Sequence, residues 1–515
     1  MNQVMSVFLK DLRHYWRETL AAVALLSAFG WQEVRSWSEG GLGAYAVGYG
    51  VSSVWPPISG LVGFLIPVVW LFVIARAIQG ESLVGDRQFW VTRPFEWTKL
   101  LAAKTLFVLT FINLPLFVLD VFLLKAAGFA PQQYLTGLLW MQLTILIILV
   151  LPAAALATVT ASVAQFFLAL LLVLLYLIGG SWLSEQIPSS RFGSSGSLTG
   201  VFFIAVCLAV ILLQYARRKT FASRLLIVGF GIACIVLLAV TPYRSLVARR
   251  FPQLSEGDQP PFQLALVPDL KPQPTDLPSE RGAEDVLIFL PFAVSGIAPD
   301  SIVRLHGVLY EVQSRDGFRW DSGWKYQGVF LFPGQKNTQL ILQLKRGVYE
   351  RMKSSPVNLH MSLAVTVYED KNRREFVVPS GDFALADAGV CSAEHRFTRS
   401  LYCRAPLRRP FFLLITADAS RSTCQSGDEQ SPPEKGAIAR GWISDESSAP
   451  AEPGINPLQE FSVGLTHWTD SPQRSSTGIC PGTPVTLSNP EPVRKLRTEL
   501  SLRDFSLEEY RGPRR

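Results

Sequence analysis

The chain has 515 residues, of which 49% are hydrophobic and only 17% charged, and its formal net charge is +7. Disordered chains have the opposite balance, and soluble proteins average about 25% charged residues, so this composition excludes a mostly disordered chain and argues against a wholly soluble one. The basic excess would indicate nucleic-acid binding only if it lay on a soluble domain.

Charge is divided unevenly along the chain. Residues 1–242 contain 15 Lys/Arg and 9 Asp/Glu, whereas residues 243–515 contain 33 and 32. The first part is therefore much poorer in charge than soluble proteins but holds most of the basic excess, and the second part matches the soluble average. We expect an α-helical polytopic membrane domain followed by an exterior water-soluble domain, with no nucleic-acid partner.

Seven segments have the roughly 20 mainly apolar residues that a helix needs to cross a bilayer. The first is the weakest, because its apolar core, residues 19–31, is short and resembles the hydrophobic region of a signal peptide. Trp16 and Trp31 flank it as interfacial anchors do, so we count it as a span. The predicted spans are 17–34, 57–78, 101–124, 137–158, 162–183, 199–216 and 224–242.

Lys and Arg in the short loops predict the orientation of these spans. Loops on the N-terminal side carry twelve of them, whereas those on the other side carry only Arg35, Lys125 and Arg191. Positive charge accumulates on the cytoplasmic side. The N-terminus is therefore predicted to be cytoplasmic in a cell inner membrane, and seven spans place the C-terminal domain outside, in the periplasm. If the true number of spans differed from seven by one, the C-terminal domain would lie in the cytoplasm.

The cysteines give an independent indication of the compartment. Four of the six lie in the second part, and an even number there suits an oxidising compartment and two disulfide bonds. Four cysteines allow three pairings. Proximity in sequence favours Cys391 with Cys403 and Cys424 with Cys480.

Residues 1–17 have the pattern of an amphipathic helix. Val4, Phe8, Leu12 and Tyr15 share one helical face, with basic residues towards the other. Such a helix lies on the cytoplasmic membrane surface. The alternative is a simple polar lead into the first span.

A second cytoplasmic segment, residues 80–99, contains four large aromatic residues among acids and arginines. The aromatic residues are Phe89, Trp90, Phe95 and Trp97. These are too many for a free loop, so they must pack on the membrane interface, on this protein or on a partner. Pro94 disfavours helical backbone at Arg93 and so predicts a bend.

The sequence GDRQFWVTRP at 85–94, followed by LLAAK at 100–104, resembles the corresponding loop of ABC-2 type transporter permeases. FLKDLR at 8–13 resembles the opening helix of the same family. The resemblance implies that this loop forms a coupling helix that docks on a separate ABC ATPase subunit. The residues assigned to that contact are Glu81, Asp86, Phe89, Trp90, Arg93 and Pro94.

The resemblance covers residues 1–242 and implies a permease domain over 18–242. This domain would form a translocation path in the lipid bilayer with a second permease copy or a homologue, usually for export. The chain departs from a minimal permease in its seventh span and its large exterior domain.

Signatures of enzymes are absent from the sequence. It has no P-loop, C-x-x-C or H-E-x-x-H motif, and its five histidines are scattered. We therefore expect no catalytic residues, cofactor or metal, and ATP hydrolysis by a partner subunit. Within the spans, Asp120 alone stands out as ionisable. It either lines a substrate route or, near the span end, reaches interfacial water or Lys125.

The second part begins with a proline-rich linker, residues 243–284, followed by an exterior β-rich region, 285–515. Short alternating segments separated by turns such as Pro333-Gly334 predict an all-β, sandwich-like fold, whether as one sandwich or two. The alternative function is a membrane-anchored sensor whose β domain binds a ligand. A membrane-embedded enzyme is disfavoured because the spans lack clustered His, Cys or carboxylate groups.

Overall fold

The computed structural model describes residues 3–40, 55–80, 96–186, 196–240, 243–255, 257–268, 285–385, 388–393, 400–421, 438–444, 455–468 and 474–511. These residues form an N-terminal helical region and a C-terminal β-rich region, as the charge division predicts.

The described part of the helical region consists of α-helices of 8 to 38 residues. Its helices are α1 (Gln3–Gly40), α2 (Trp55–Gln79), α3 (Trp97–Val108), α4 (Leu114–Ala126), α5 (Leu135–Ile145), α6 (Leu151–Val159), α7 (Val163–Gln186), α8 (Gly196–Arg217), α9 (Thr220–Val240) and α10 (Tyr243–Arg250). Two π-helical turns, Leu109–Asn113 and Leu146–Val150, make α3–α4 and α5–α6 continuous. Pro115 and Pro152 follow these turns, and a proline without an N–H disrupts the regular α-helical bonding just before it.

Among the described residues, six helical stretches are long and apolar enough to cross a membrane. They are Leu61–Gln79, Trp97–Ala126, Pro131–Val159, Val163–Gly180, Thr199–Arg217 and Thr220–Leu237. They coincide with the second to seventh predicted spans. Leucines of α7 and α9, such as Leu171 and Leu225, are exposed, as expected where lipid is the solvent. The protein is therefore membrane-spanning.

Helix α1 joins the predicted surface helix and the first predicted span in one element. It consists of two helical stretches joined at a kink at Tyr15, whose φ of −110° and ψ of 19° are not helical. It packs on α2, α3 and α4. Its buried face includes Val7, Asp11 and Thr19, whereas Phe8 is only partly buried. Tyr15 of the predicted face is also buried, and the basic residues Lys10, Arg13 and Arg17 are exposed as predicted, but the buried face packs on protein and includes a carboxylate.

Every pairing between described strands is antiparallel. The strands are β1 (Gln263–Leu266), β2 (Asp285–Ser295), β3 (Ser301–Ser314), β4 (Arg319–Leu331), β5 (Asn337–Lys345), β6 (Val357–Glu369), β7 (Arg374–Val377), β8 (Asp382–Leu385), β9 (Gly389–Ser392), β10 (Leu401–Pro406), β11 (Phe412–Asp418), β12 (Ile438–Ser444), β13 (Leu458–Val463), β14 (Leu465–Trp468), β15 (Arg474–Thr477), β16 (Pro484–Ser488) and β17 (Glu491–Phe505). A short helix, α11 (Arg346–Met352), follows β5. Strand β1 and helix α10 fall within the predicted linker, 243–284.

The described strands form sheets that share hydrophobic cores in pairs. Sheets β1-β2-β5 and β17-β6-β3-β4 contribute to one core, which includes Ile288 and Met361. Sheets β13-β10-β9-β8 and β15-β14-β12-β11-β16-β7 contribute to a second, which includes Ile415. Phe330 and Phe412 belong to a smaller cluster that joins the two pairs. The β-rich region thus has two main cores.

The predicted disulfide between Cys391 and Cys403 is confirmed. The two residues lie directly opposite each other on β9 and β10, and both are buried in the second core. Cys480 is also disulfide-bonded, whereas Cys424 lies outside the described residues.

Candidate functional site

The predicted coupling residues cannot be located, because 81–95 lies outside the described residues. This applies to Glu81, Asp86, Phe89, Trp90, Arg93 and Pro94. The structure does describe the two helix ends that flank this segment. Helix α2 ends at Gln79, and α3 begins at Trp97.

A buried ion pair joins α1 to α3. Lys104 Nζ on α3 donates to Asp11 Oδ2 on α1 at 2.8 Å, and both side chains are only 4% exposed. Removing either charge alone from water is costly, so each stabilises the other in the apolar interior. The sequence segments 8–13 and 100–104 are therefore in direct contact.

The kink of α1 is packed against both flanking helices. Tyr15 is buried with Phe107 of α3 and Ala77 of α2. The Arg76 guanidinium lies 5.7 Å from the centre of the Tyr15 ring. A Cβ atom at Gly80 would lie 2.0 Å from the Tyr15 hydroxyl oxygen, so only glycine fits there without a shift. The two ends of the segment 81–95 are thus held against α1.

Polar side chains at this same end of the bundle bind the C-terminal end of α6. Gln79 Nε2 donates to Thr160 Oγ1 at 2.8 Å. Arg224 Nη2 and Nε donate to the Val159 carbonyl oxygen at 2.8 and 3.2 Å. Cations are favourable at helix C-termini, where carbonyls lack helical partners. This end therefore joins α1, α2, α3, α6 and α9 through polar contacts.

A second polar cluster lies deeper, between α4 and α5. Asp120 is fully buried, and its Oδ2 accepts a hydrogen bond from Gln142 Nε2 at 2.9 Å. Asn113 Nδ2 in turn donates to Gln142 Oε1 at 3.2 Å. Asp120 reaches neither interfacial water nor Lys125, which is exposed. Asp120 therefore lies inside the bundle with Gln142 as its hydrogen-bond partner, which does not fit the alternative of a contact with interfacial water or Lys125.

The cluster leaves two acceptors unused. Within the part of the chain that the structure describes, Asp120 Oδ1 and Asn113 Oδ1 have no hydrogen-bond partner. Leaving a buried polar atom unpaired costs about 1–3 kcal/mol, so such atoms are rare without a reason. Chemically, the cluster can accept hydrogen bonds from a polar group that enters the bundle.

Asn113 and Gln142 were not among the predicted site residues, although a signal for Asn113 exists in the sequence. Asn113 lies two residues before Pro115 and seven before Asp120, a spacing that places both polar groups on one helix face. Gln142 has no comparable signal, because its role depends on how α5 packs on α4.

The other end of α1 contacts the β-rich region. Asn456 Nδ2 donates to Glu33 Oε1 at 2.7 Å. The Arg404 guanidinium lies 4.3 Å from the centre of the Trp37 ring and binds Glu460 Oε1 at 2.9 Å. Helix α1 thus links the Asp11–Lys104 pair at one end of the bundle to the β-rich region at the other.

Within the described ranges, no three His, Cys, Asp or Glu side chains converge as a metal site requires. The chain matches no protein-family model, and a comparison with curated proteins found no relative.

Proposed function

We propose that this chain is the permease subunit of an ABC-2 type transporter in a cell inner membrane. It would form an export path with a second permease copy or a homologue, driven by a separate ABC ATPase. The observation that carries the proposal is the buried Asp11–Lys104 pair. It joins the two sequence segments that resemble this family, beside the helix ends that flank the proposed coupling loop.

The proposed topology has seven spans, with α1 as the first. Tyr15 packs at one end of the bundle and Glu33 contacts the β-rich region at the other. From Tyr15 to Glu33 the chain advances eighteen residues, which rise about 27 Å as a helix, and this is close to the thickness of the hydrocarbon layer. Seven spans and a cytoplasmic N-terminus place the β-rich region, proposed to be two sandwiches, in the periplasm. The Asn113–Gln142–Asp120 cluster is the proposed polar site on the path.

This topology predicts opposite results for two fusions. A reporter that is active only outside the cytoplasm should be active when fused after Arg515. The same reporter should be inactive when fused after Lys219, between α8 and α9. Membrane levels of both fusions, measured by immunoblot, serve as the control. An inactive Arg515 fusion at a normal level contradicts the topology.

The coupling role predicts that docking depends on Trp90. Interface energy concentrates in a few buried aromatic and arginine anchors, so Trp90→Ala should weaken ATPase docking by about 2 kcal/mol, roughly thirtyfold. Phe89 and Arg93 should behave similarly. Glu81→Ala and Asp86→Ala should have smaller effects that depend on salt, because rim charges mainly steer association. The measurement is retention of the ATPase by the tagged protein from native membranes.

Trp182→Ala is the matched control, since Trp182 is an exposed tryptophan of α7. It should retain the ATPase. If the unmodified protein retains none, the permease proposal fails. If Trp90→Ala inserts normally and retains the ATPase fully, the loop is not the coupling element. If Trp90→Ala fails to insert, its role is structural.

The contact between α1 and the β-rich region also supports the alternative, a membrane-anchored sensor. Asn456 and Arg404 contact the end of α1, and Leu458 is buried in the helical core, so ligand binding to the β-rich region could shift the bundle. A sensor would tolerate alanine at 81–95 and would retain no ATPase. The copurification experiment therefore separates the two functions.

A further inference from the structure

An open groove lies between α4 and α5, near the end of the bundle that contacts the β-rich region. Its volume is about 770 Å³, and apolar side chains that include Phe117, Val121 and Leu138 line it. Lys125, in the last turn of α4, also lines the groove and is exposed. Both helices belong to stretches that are long and apolar enough to cross a membrane, so the apolar part of the groove is suited to contact with lipid chains.

A second groove adjoins the first, because Phe129 lines both. It has a volume of about 650 Å³ and lies between the turn after α4 and the β-rich region. Its lining includes Tyr134, Arg408, Arg409 and Glu491.

A strained turn fixes the two arginines at this place. Leu407 has φ +67°, and the Arg408 backbone N–H donates to the Pro406 carbonyl oxygen at 2.8 Å. This is a three-residue γ-turn with positive φ, a rare and strained conformation for a residue with a side chain. A Cβ atom at Gly137 would lie 2.1 Å from Leu407 Cδ1, so Leu407 packs directly on α5. A strained turn persists only where the surrounding structure holds it in place. Here the contact between Leu407 and α5 holds the turn and anchors the β-rich region on the bundle.

The charge of the joined grooves is predominantly positive. Lys125, Arg408 and Arg409 are exposed, and none has an acidic partner within the described ranges. Glu491 is the one acidic residue of the two linings. Three cations beside an apolar groove, with the rings of Phe129 and Tyr134 in the linings of the joined grooves, match a phosphate headgroup above an acyl chain.

We propose that the joined grooves bind one anionic phospholipid. Arg408, Arg409 and Lys125 would bind its headgroup phosphate, and an acyl chain would lie in the groove between α4 and α5. This inference requires only that these helices span a membrane. It does not depend on the transport function.

The test measures lipid binding to the full-length protein, purified in detergent and delipidated, by native mass spectrometry. Phosphatidylglycerol and phosphatidylcholine with the same acyl chains are the probes. R408A/R409A should bind phosphatidylglycerol about thirtyfold more weakly, since each basic residue near a lipid surface contributes about fivefold. The control R319A/R503A removes two exposed arginines elsewhere on the β-rich region and should bind normally.

A second pair of variants tests the acyl-chain groove. V121W fills the groove and should weaken binding of both lipids, whereas V118W adds the same side chain at an exposed position of α4 and should not. If R408A/R409A unfolds early, R408Q/R409Q replaces it, because glutamine keeps a polar side chain of similar reach.

Four results would overturn the proposal. They are normal phosphatidylglycerol binding by the arginine variants, equal binding of the two lipids by the unmodified protein, normal binding by V121W, and complete displacement of phosphatidylglycerol by excess inorganic phosphate. The last result would assign the site to a free anion instead of a lipid.

Discussion

A Lys104→Met variant should lose about 3–5 kcal/mol of stability, because it removes the ammonium group that forms an ion pair with the buried Asp11 carboxylate. The pair has a 2.8 Å contact and both side chains are 4% exposed, so water cannot replace the lost ammonium. The measurement is the unfolding of the purified protein in detergent, followed by circular dichroism or by a thiol probe at buried Cys207.

The double variant Asp11→Leu/Lys104→Met is the decisive control. Replacing a buried ion pair by apolar residues of similar volume is often neutral or stabilising, so the double variant should recover most of the loss. Lys99→Met removes an exposed lysine paired with Glu96 and should cost less than about 1 kcal/mol. A single variant as stable as the unmodified protein would show that Asp11 does not need this partner.

Gly389→Ala should be the most damaging methyl addition in the β-rich region, with a loss of about 3 kcal/mol from backbone strain and overpacking together. Gly389 has φ +91°, and a Cβ atom there would lie 2.1 Å from the Arg404 carbonyl oxygen. Backbone atoms cannot rotate away as a side chain can, so β9 and β10 must separate. Thermal unfolding and limited proteolysis of the full-length protein measure the effect.

Gly347→Ala is the matched control for this substitution. Gly347 lies in α11, and a Cβ atom there would meet nothing within 4 Å. It should be neutral or stabilising by up to about 1 kcal/mol, since alanine favours helix over glycine. Equal stability of the two variants would mean that the close contact at Gly389 relaxes without cost.

Features that depend on local pattern could be predicted from the sequence. Six spans have about 20 apolar residues each, and this length and composition suffice to identify them. The Cys391–Cys403 disulfide was also predictable, because only 12 residues separate the two cysteines and neighbouring antiparallel strands meet within such a distance. Helix α1 was harder to classify, because charges near its ends lower the mean hydropathy of a helix that is otherwise packed in the bundle.

Features that depend on packing between distant segments could not be predicted. The orientation prediction counts Lys104 among the charges of the cytoplasmic loops. In the structure it is buried with its partner Asp11, which lies 93 residues away. Asp120 has Gln142 as its partner, 22 residues away on the next helix, instead of nearby Lys125. No local pattern specifies which faces of two helices meet. The strand β1 within the predicted linker was missed because the many prolines around it indicated an extended spacer.

The contact between Glu33 and Asn456 has a consequence for the order of events during synthesis. The two residues are 423 positions apart. At about 5–20 residues per second, a ribosome needs roughly 20 to 80 s to make the intervening chain. Through that interval the C-terminal end of α1 has no Asn456 beside it. Any helix that inserts during this time does so without that contact, and the β-rich region can complete the C-terminal end of α1 only afterwards.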